Sequence, residues 1–234
     1  MSTTVSRRRE RRSFLSRFAA GAAVFGSTLV RGESAEAQSA GAVSWKPGRH
    51  AQDDWLDQIA GTHRFIFDTT SPTGLGTALL FANNFFIANQ NGYGLGNADA
   101  AVVIVARHNS TPFAFTDAMW AKYGAPIGDA SGFDDPKTKA RPSANVYNST
   151  THAALLPNGG VTLDGLVKRG VHFAVCQMAT RRFAGAIATA TGASADTIYK
   201  ELVSNLVPNS HVVSAGIVAV NRAQERGYSF ASGG

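Results

Sequence analysis

Cysteine is nearly absent from this 234-residue chain, which holds only Cys176. A single cysteine excludes an intrachain disulfide and every CxxC redox or metal motif. The six histidines never occur at H-x-H or HxxxH spacing, so no metal centre is expected. No cofactor is expected either, because Leu79 stands where a GxGxxG dinucleotide-binding turn beginning at Gly74 and Gly76 would need its third glycine.

The chain also lacks a long apolar run. Its longest candidate, "FAAGAAVFGSTLV" at 18–30, has thirteen residues, whereas a membrane span needs about 20. A basic segment containing "RRSFL" precedes this run, and the small residues Ala35 and Ala37 follow it. This succession predicts a cleaved twin-arginine export signal over residues 1–37. It favours an exported, periplasmic protein without stable membrane insertion after cleavage over an uncleaved anchor or a basic tail.

The excess of positive charge is concentrated in the predicted signal. The chain has 22 basic and 16 acidic residues, and residues 1–37 hold seven of the arginines and three of the glutamates. Removing them leaves 15 basic against 13 acidic residues, a net charge of +2. The remainder has no long basic run and no RNA-binding aromatic motif, so nucleic acid is not an expected partner.

Beyond residue 62, short apolar β-forming runs alternate with helical patterns. Residues 38–62 are read as an N-terminal extension that would pack through Trp45 and Trp55. The pattern predicts strands at 63–69, 99–107, 171–176 and 211–216, and helices at 76–90, 115–124, 161–170, 180–192, 194–207 and 217–227. This alternation is typical of an α/β domain with a parallel sheet flanked by helices.

Glycine and proline interrupt the middle of this domain. Gly124 is expected to close the helix at 115–124, and residues 125–160 then form a long polar insertion. Asn145 and Tyr147 within it suit either a lid or an interface clasp.

Cys176 ends a predicted strand and precedes a predicted helix. Ligands of open α/β sheets bind at the carboxyl edge of the strands, where Cys176 lies. A helix N-terminus and the nearby Arg181 and Arg182 favour a thiolate and hence a reactive cysteine. The alternative is a small buried core residue, the common state of free cysteine.

Other titratable residues fall at both edges of the predicted sheet. Arg107 and His108 end their strand beside Cys176, where they would bind an anionic sulfur compound or remain a solvated strand end. His63, His172 and His211 begin strands and therefore belong to the opposite edge.

Three segments resemble a known family. "GVHFAVCQMATRRFAG" (170–185) and "LVPNSHVVSAGIVAVNRAQERGYSF" (206–230) are similar to matching blocks of the DsrE/DsrF-like sulfur-relay family. "VVIVARHNSTPFAFTDAMWAKYG" (102–124) resembles the members that carry twin-arginine signals. The resemblance, over residues 63–230, implies a three-layer flavodoxin-like domain assembled as a homo-oligomer, a trimer or hexamer. The family cysteine that accepts sulfur as a persulfide corresponds to Cys176.

Two functions are compatible with these observations. In the first, the protein is an exported sulfur carrier, at most sulfurtransferase-like, that accepts sulfane sulfur on Cys176 from a donor and passes it to an acceptor thiol. Arg107, His108, Arg181 and Arg182 would then bind substrate. In the second, it is a non-catalytic oligomeric binding or assembly module with a buried structural cysteine.

Overall fold

A computed structural model describes residues 45–233 of the chain. The export signal predicted for residues 1–37, and the first part of the predicted extension, lie outside the described residues. From Lys46 onward the described residues form one compact unit. Its helices are α1 (Trp55–Gln58), α2 (Pro72–Tyr93), α3 (Asp117–Ser131), α4 (Leu163–Lys168), α5 (Gln177–Thr191), α6 (Ala195–Ser204) and α7 (Gly216–Gln224). Its strands are β1 (His63–Thr69), β2 (Ala100–Ala106), β3 (His172–Cys176), β4 (Ser210–Val213) and β5 (Ser229–Ser232).

The five strands form one sheet in the order β4-β3-β2-β1-β5. Every neighbouring pair is parallel, with Phe65 opposite Val102 and Cys176 opposite Val213. The predicted α/β class with a parallel sheet, three layers and a flavodoxin-like arrangement is confirmed.

Helices cover both faces of the sheet, and this explains why the sequence of β2 is continuously apolar. Val102 and Ile104 face the layer that contains α2 to α6, whereas Val103 and Val105 face α7 and α1. All seven residues of β2 are buried. Alternate side chains therefore enter two separate cores, and neither face of the strand tolerates a polar residue.

The direction of the chain changes after β4. From β1 to β4 each strand is added on the same side, and the connecting helices α2 to α6 pack on one face. After β4 the chain crosses through α7 on the other face and reaches the opposite edge of the sheet as β5. The connections that leave β3 and β4 therefore diverge to opposite faces, and this divergence opens a crevice at their carboxyl ends.

The helix predicted to end at Gly124 continues to Ser131, so that boundary was wrong. Gly124 is required for close packing: a Cβ atom there would lie 1.8 Å from the carbonyl oxygen of Pro142. The helix ends where Gly132 adopts a left-handed conformation with a φ of 67°, as Gly94 does with a φ of 68° at the end of α2.

The segment from 133 to 162 packs against the helical layer as irregular structure with short 3-10 turns. Asn145 donates to the carbonyl oxygens of Phe113 and Phe115 at 2.8 and 3.0 Å. The Tyr147 hydroxyl donates to the carbonyl of Pro72 at 2.6 Å, and its ring is fully buried. Both residues therefore fasten the insertion to the core of this chain.

The N-terminal segment packs through Trp55, whose ring stacks on His211 with 4.0 Å between centroids. Leu56 and Ile59 join the core on the α7 face. Trp45, the other expected anchor, is 73% exposed. None of the helices within residues 45–233 is both long and apolar enough to cross a membrane.

Candidate functional site

A cavity of about 380 Å³ lies where the connections of β3 and β4 diverge. Its wall is formed by Arg107 and His108 after β2, by Cys176 and the start of α5, by Arg182, and by the start of α7. The end of a parallel strand and the starts of two helices thus meet at one edge of the sheet, as expected for an open α/β fold.

Cys176 is the last residue of β3 and the N-cap of α5. Strand alternation directs its side chain, like that of Ala174, towards the face covered by α7. The residue is only 6% exposed, but it forms part of the cavity wall. Access to the thiol therefore passes through the cavity.

Arg107 is held by a bidentate ion pair with Asp68, at the end of β1. Nε and Nη2 donate to the two carboxylate oxygens, each at 2.7 Å. The hydrogen bonds that Arg107 donates to Asp68 raise the pKa of Arg107; burial opposes this shift, and the charges of Asp68 and Cys176 reinforce it. The guanidinium consequently stays charged and is fixed in orientation beside the cysteine.

Gly216 makes room for the Arg107 side chain at the start of α7. A Cβ atom on Gly216 would lie 2.6 Å from Cβ and 2.7 Å from Cδ of Arg107, and 3.0 Å from Cγ1 of Val105. These distances are shorter than normal carbon–carbon contacts. The absence of a side chain at this position lets the arginine pass between β2 and α7.

A buried hydroxyl network fixes the turn that follows β2. The Ser110 hydroxyl accepts from the backbone N–H of Arg107 at 3.0 Å and from the Thr69 hydroxyl at 2.9 Å. Within this turn His108 has a φ of 56°, in the left-handed region that a residue with a side chain rarely adopts. The exposed His108 ring is thereby placed on the cavity wall.

Arg182 brings a positive charge to the cavity. Nη2 donates to the side-chain oxygen of Asn109 at 2.7 Å, and Nη1 donates to the carbonyl of Ala130 at 3.3 Å. Both acceptors are neutral, and within the described part of the chain no acidic residue pairs with Arg182. Its charge is therefore available to an anion in the cavity.

Arg181 is not part of the cavity wall. Its guanidinium lies over the ring of Tyr199 on α6, 4.0 Å from the centroid. The Tyr199 hydroxyl in turn accepts a hydrogen bond from Gln177 at 2.9 Å. Because successive residues of a helix point about 100° apart, only one of the two adjacent arginines reaches the cavity. The structure thus brings together Cys176, Arg107, His108 and Arg182, and leaves Arg181 out.

Sequence reasoning missed four contributors to the site: Gly216, Asp68, Met178 and Ile217. Asp68 is the penultimate residue of β1 and could have been found by applying the strand-end rule to that strand as well. Met178 and Ile217, the second residues of α5 and α7, are 69% and 57% exposed at the cavity. Their only signal in the sequence is an apolar residue immediately after a helix start, which does not distinguish a cavity wall from ordinary surface.

The starts of α5 and α7 both lack a side-chain cap. The N-cap residues Cys176 and Ala215 accept no hydrogen bond through their side chains, whereas Ser71 and Thr162 cap α2 and α4. The first backbone N–H groups of a helix have no acceptor within it and carry partial positive charge. Two such helix ends at one cavity favour an anionic ligand or a thiolate.

Two of the histidines expected at the opposite edge meet there. His172 Nδ1 and His211 Nε2 are 2.9 Å apart, and Trp55 covers the pair. Between residues 45 and 233, no group of three or more His, Cys, Asp or Glu side chains is arranged to hold a metal ion.

Comparisons with protein-family models, curated proteins and solved structures give no significant match to this chain.

Proposed function

We propose that this protein carries sulfane sulfur as a persulfide on Cys176. The observation that carries the proposal is the position of the chain's one thiol in the wall of a cavity that also contains Arg107 and Arg182. A thiolate is the attacking form of cysteine, and positive charge and helix N-termini stabilise it. The similarity of residues 170–185 and 206–230 to sulfur-relay proteins supports the same activity.

The reaction has two steps. The Cys176 thiolate attacks the terminal sulfur of a polysulfide chain; a sulfur–sulfur bond forms at Sγ, and the shortened polysulfide leaves with the electron pair. An acceptor thiolate then attacks the outer sulfur of the Cys176 persulfide, and Cys176 leaves as a thiolate. No external oxidant or reductant is consumed. The protein acts as a carrier, or at most as a sulfurtransferase.

A second candidate function rests on the low exposure of Cys176. At 6% exposed, this residue also fits a non-catalytic oligomeric module in which the cysteine fills space. The two functions differ in whether the folded protein lets a small reagent reach the thiol.

Labelling of Cys176 in the folded protein tests the proposal. We expect a small alkylating agent to react at neutral pH without denaturant, and polysulfide to add the mass of sulfur atoms that a reductant removes. Intact-protein mass spectrometry measures both products. Cys176→Ser, which is nearly isosteric, is the control and should abolish the adduct.

Labelling that occurs only after unfolding would reject the carrier function and favour the module. In that case Cys176→Ser should also destabilise the fold, by about 1–3 kcal/mol, because a hydroxyl would be buried without an assured partner.

Export through the twin-arginine pathway and assembly as a trimer or hexamer belong to the same proposal. A sulfur donor and an acceptor thiol are the other partners it requires. Light scattering on the purified protein measures the oligomeric state, and a monomer at micromolar concentration would contradict this part of the proposal.

A further inference from the structure

The charges around the cavity are of one sign. Among residues 45–233, the titratable or charged side chains of its wall apart from Cys176 are Arg107, His108 and Arg182, and none of the lining residues is a carboxylate. Asp68 neutralises Arg107, but in the part of the chain described, Arg182 has only neutral acceptors. A second anion can therefore enter beside a thiolate without meeting an acidic side chain.

The two arginines retain donors for such an anion. Asp68 occupies Nε and Nη2 of Arg107, and among the described residues Nη1 has no hydrogen-bond partner. The uncapped starts of α5 and α7 add backbone N–H groups on the same cavity. Several donors around one space suit a group with several oxygen atoms better than a chain of sulfur atoms, which accepts hydrogen bonds weakly.

Apolar groups form the rest of the wall. Met178 and Ile217 are exposed on either side of the cavity, one from each helix start. A methionine thioether and an isoleucine side chain contact organic groups and polarisable sulfur favourably. The cavity thus combines an oxyanion-binding part with an apolar part.

We propose that the sulfur donor is a thiosulfonate anion, R–SO2–S⁻, with an organic R group. This inference rests on the proposed function and names its substrate class. The sulfonyl oxygens contact Arg182, the free nitrogen of Arg107 and the helix starts, and the organic group lies against Met178 and Ile217. Inorganic thiosulfate has the same sulfonyl chemistry without the organic group.

The transfer balances without a further reagent. The Cys176 thiolate attacks the outer sulfur, a bond forms between it and Sγ, and the bond from that sulfur to the sulfonyl sulfur breaks. The sulfinate R–SO2⁻ leaves with the electron pair, and Cys176 becomes a persulfide. Two negative charges enter and two remain. Oxidation of the cysteine sulfur is matched by reduction of the sulfonyl group to sulfinate.

Arg182 and Arg181 provide a matched pair of variants for the test. Arg182→Gln and Arg181→Gln remove the same charge from adjacent positions, but only Arg182 lines the cavity. With benzenethiosulfonate and the full chain, we expect Arg182→Gln to lower the second-order rate constant for sulfinate release about tenfold, and Arg181→Gln to lower it less than about twofold. Neutral iodoacetamide lacks the charge that Arg182 binds, so it reports only how each variant changes the thiolate itself. Arg182→Gln should therefore slow iodoacetamide less than it slows benzenethiosulfonate.

The organic group is tested separately. Benzenethiosulfonate should react faster than thiosulfate, and Met178→Ala should reduce that preference. Thiosulfate reacting as fast as the organic donor would reject the organic group and leave the sulfonyl group as the recognised feature.

Further outcomes distinguish this inference from the proposed function. Sulfur adducts formed from polysulfide but not from thiosulfonate would overturn the inference and leave the carrier function standing. Equal losses in the two arginine variants would also overturn it, because they would show only a long-range effect of net charge. If neither donor gives an adduct, yet benzenesulfinate binds to Cys176→Ser and that binding requires Arg182, the carrier function fails and anion recognition stands.

Discussion

At the level of single residues, the site depends on a glycine, because the space beside its backbone is needed by another residue. Gly216 leaves space that the stem of Arg107 fills, and Arg107 in turn holds Asp68 in a bidentate ion pair. The position of a guanidinium whose charge interacts with Cys176 is therefore set by a residue that has no functional group. Its contribution is steric.

Replacing Gly216 with alanine is expected to destabilise the protein. The new Cβ would lie 2.6 Å from Cβ of Arg107, so the arginine or α7 must move and the ion pair with Asp68 is distorted. We expect Gly216→Ala to lower the free energy of unfolding by about 1–3 kcal/mol, as overpacking commonly does. Urea denaturation measures this change.

Gly185→Ala is the matched control, because Gly185 lies within α5 and an added Cβ has no neighbour within 4 Å. Alanine there should stabilise the helix by about 0.5–1 kcal/mol. Destabilisation of the same size in both variants would contradict the steric explanation.

The sequence could predict the part of the site whose residues follow strand ends. Cys176, Arg107 and His108 were found by that rule. The position of Arg182 rather than Arg181 on the cavity depends on the rotation of α5, which a strand-end argument does not contain. Gly216 could not be recognised either, since its role depends on the distance between β2 and α7.

At the level of elements, the insertion is fastened by one tyrosine. Burial raises the pKa of Tyr147 well above its usual range, so the hydroxyl stays protonated and donates to the carbonyl of Pro72. Gly76 lets the ring approach, because a Cβ atom there would lie 2.7 Å from the hydroxyl. The contact joins residues 133–162 to the start of α2.

Tyr147→Phe should remove this hydrogen bond and keep the ring. The carbonyl of Pro72 would then lose its buried donor, and we expect the free energy of unfolding to fall by about 1–2 kcal/mol. Denaturant titration provides the measurement. Tyr93→Phe is the control: Tyr93 is 79% exposed, so its hydroxyl can be removed without effect. An unchanged stability in Tyr147→Phe would show that packing alone fastens the insertion.

The N-terminal segment introduces a pH dependence through the histidines that Trp55 covers. Burial, together with the neighbouring His172, lowers the pKa of His211 to about 4, and burial lowers that of His172. The unfolded chain therefore binds protons more readily than the folded protein below pH 6.5, the ordinary histidine pKa. This source of stability is complete above pH 6.5 and is lost as the pH falls towards 4.

Allowing for solvent screening of these half-buried rings, we expect the pair to reduce the free energy of unfolding by about 1–2 kcal/mol between pH 6.5 and pH 4.5. His211→Phe, which retains an aromatic ring under Trp55, should make this loss smaller. His63→Gln removes an exposed histidine from the same edge of the sheet and should leave it unchanged. Urea denaturation at several pH values tests the expectation, and an unaltered pH slope in His211→Phe would contradict it.

Most elements could be predicted from periodicity because the sheet is covered on both faces. The predicted strand at 63–69 coincides with β1, and the predicted strand at 99–107 contains β2. β5 was missed because it has only four residues and these are largely exposed, so the sequence shows no apolar run there. The end of α3 was placed too early because Gly124 was interpreted as a stop, although its function is the close approach of Pro142.

At the level of the whole molecule, the predicted export through the twin-arginine pathway can be tested directly. The signal proposed for residues 1–37 contains Arg11 and Arg12, on which recognition by the twin-arginine pathway depends. Replacing both arginines with lysine keeps the charge and should retain the protein in the cytoplasm. Cell fractionation measures the distribution. A double-lysine variant that still reaches the periplasm would contradict this pathway.

The edge strand β5 determines when this protein can complete its fold during synthesis. Among the strands within residues 45–233, β5 is translated last, but it pairs with β1, which is translated first, with Phe65 opposite Ser229. Until the ribosome has released β5, a growing chain leaves the backbone groups along one side of β1 unpaired, and such an edge invites association with other chains. Closure of the sheet therefore has to wait until β5 has left the ribosome. A delivery route that accepts a finished, folded protein suits this order of events better than one that threads the chain as it is made.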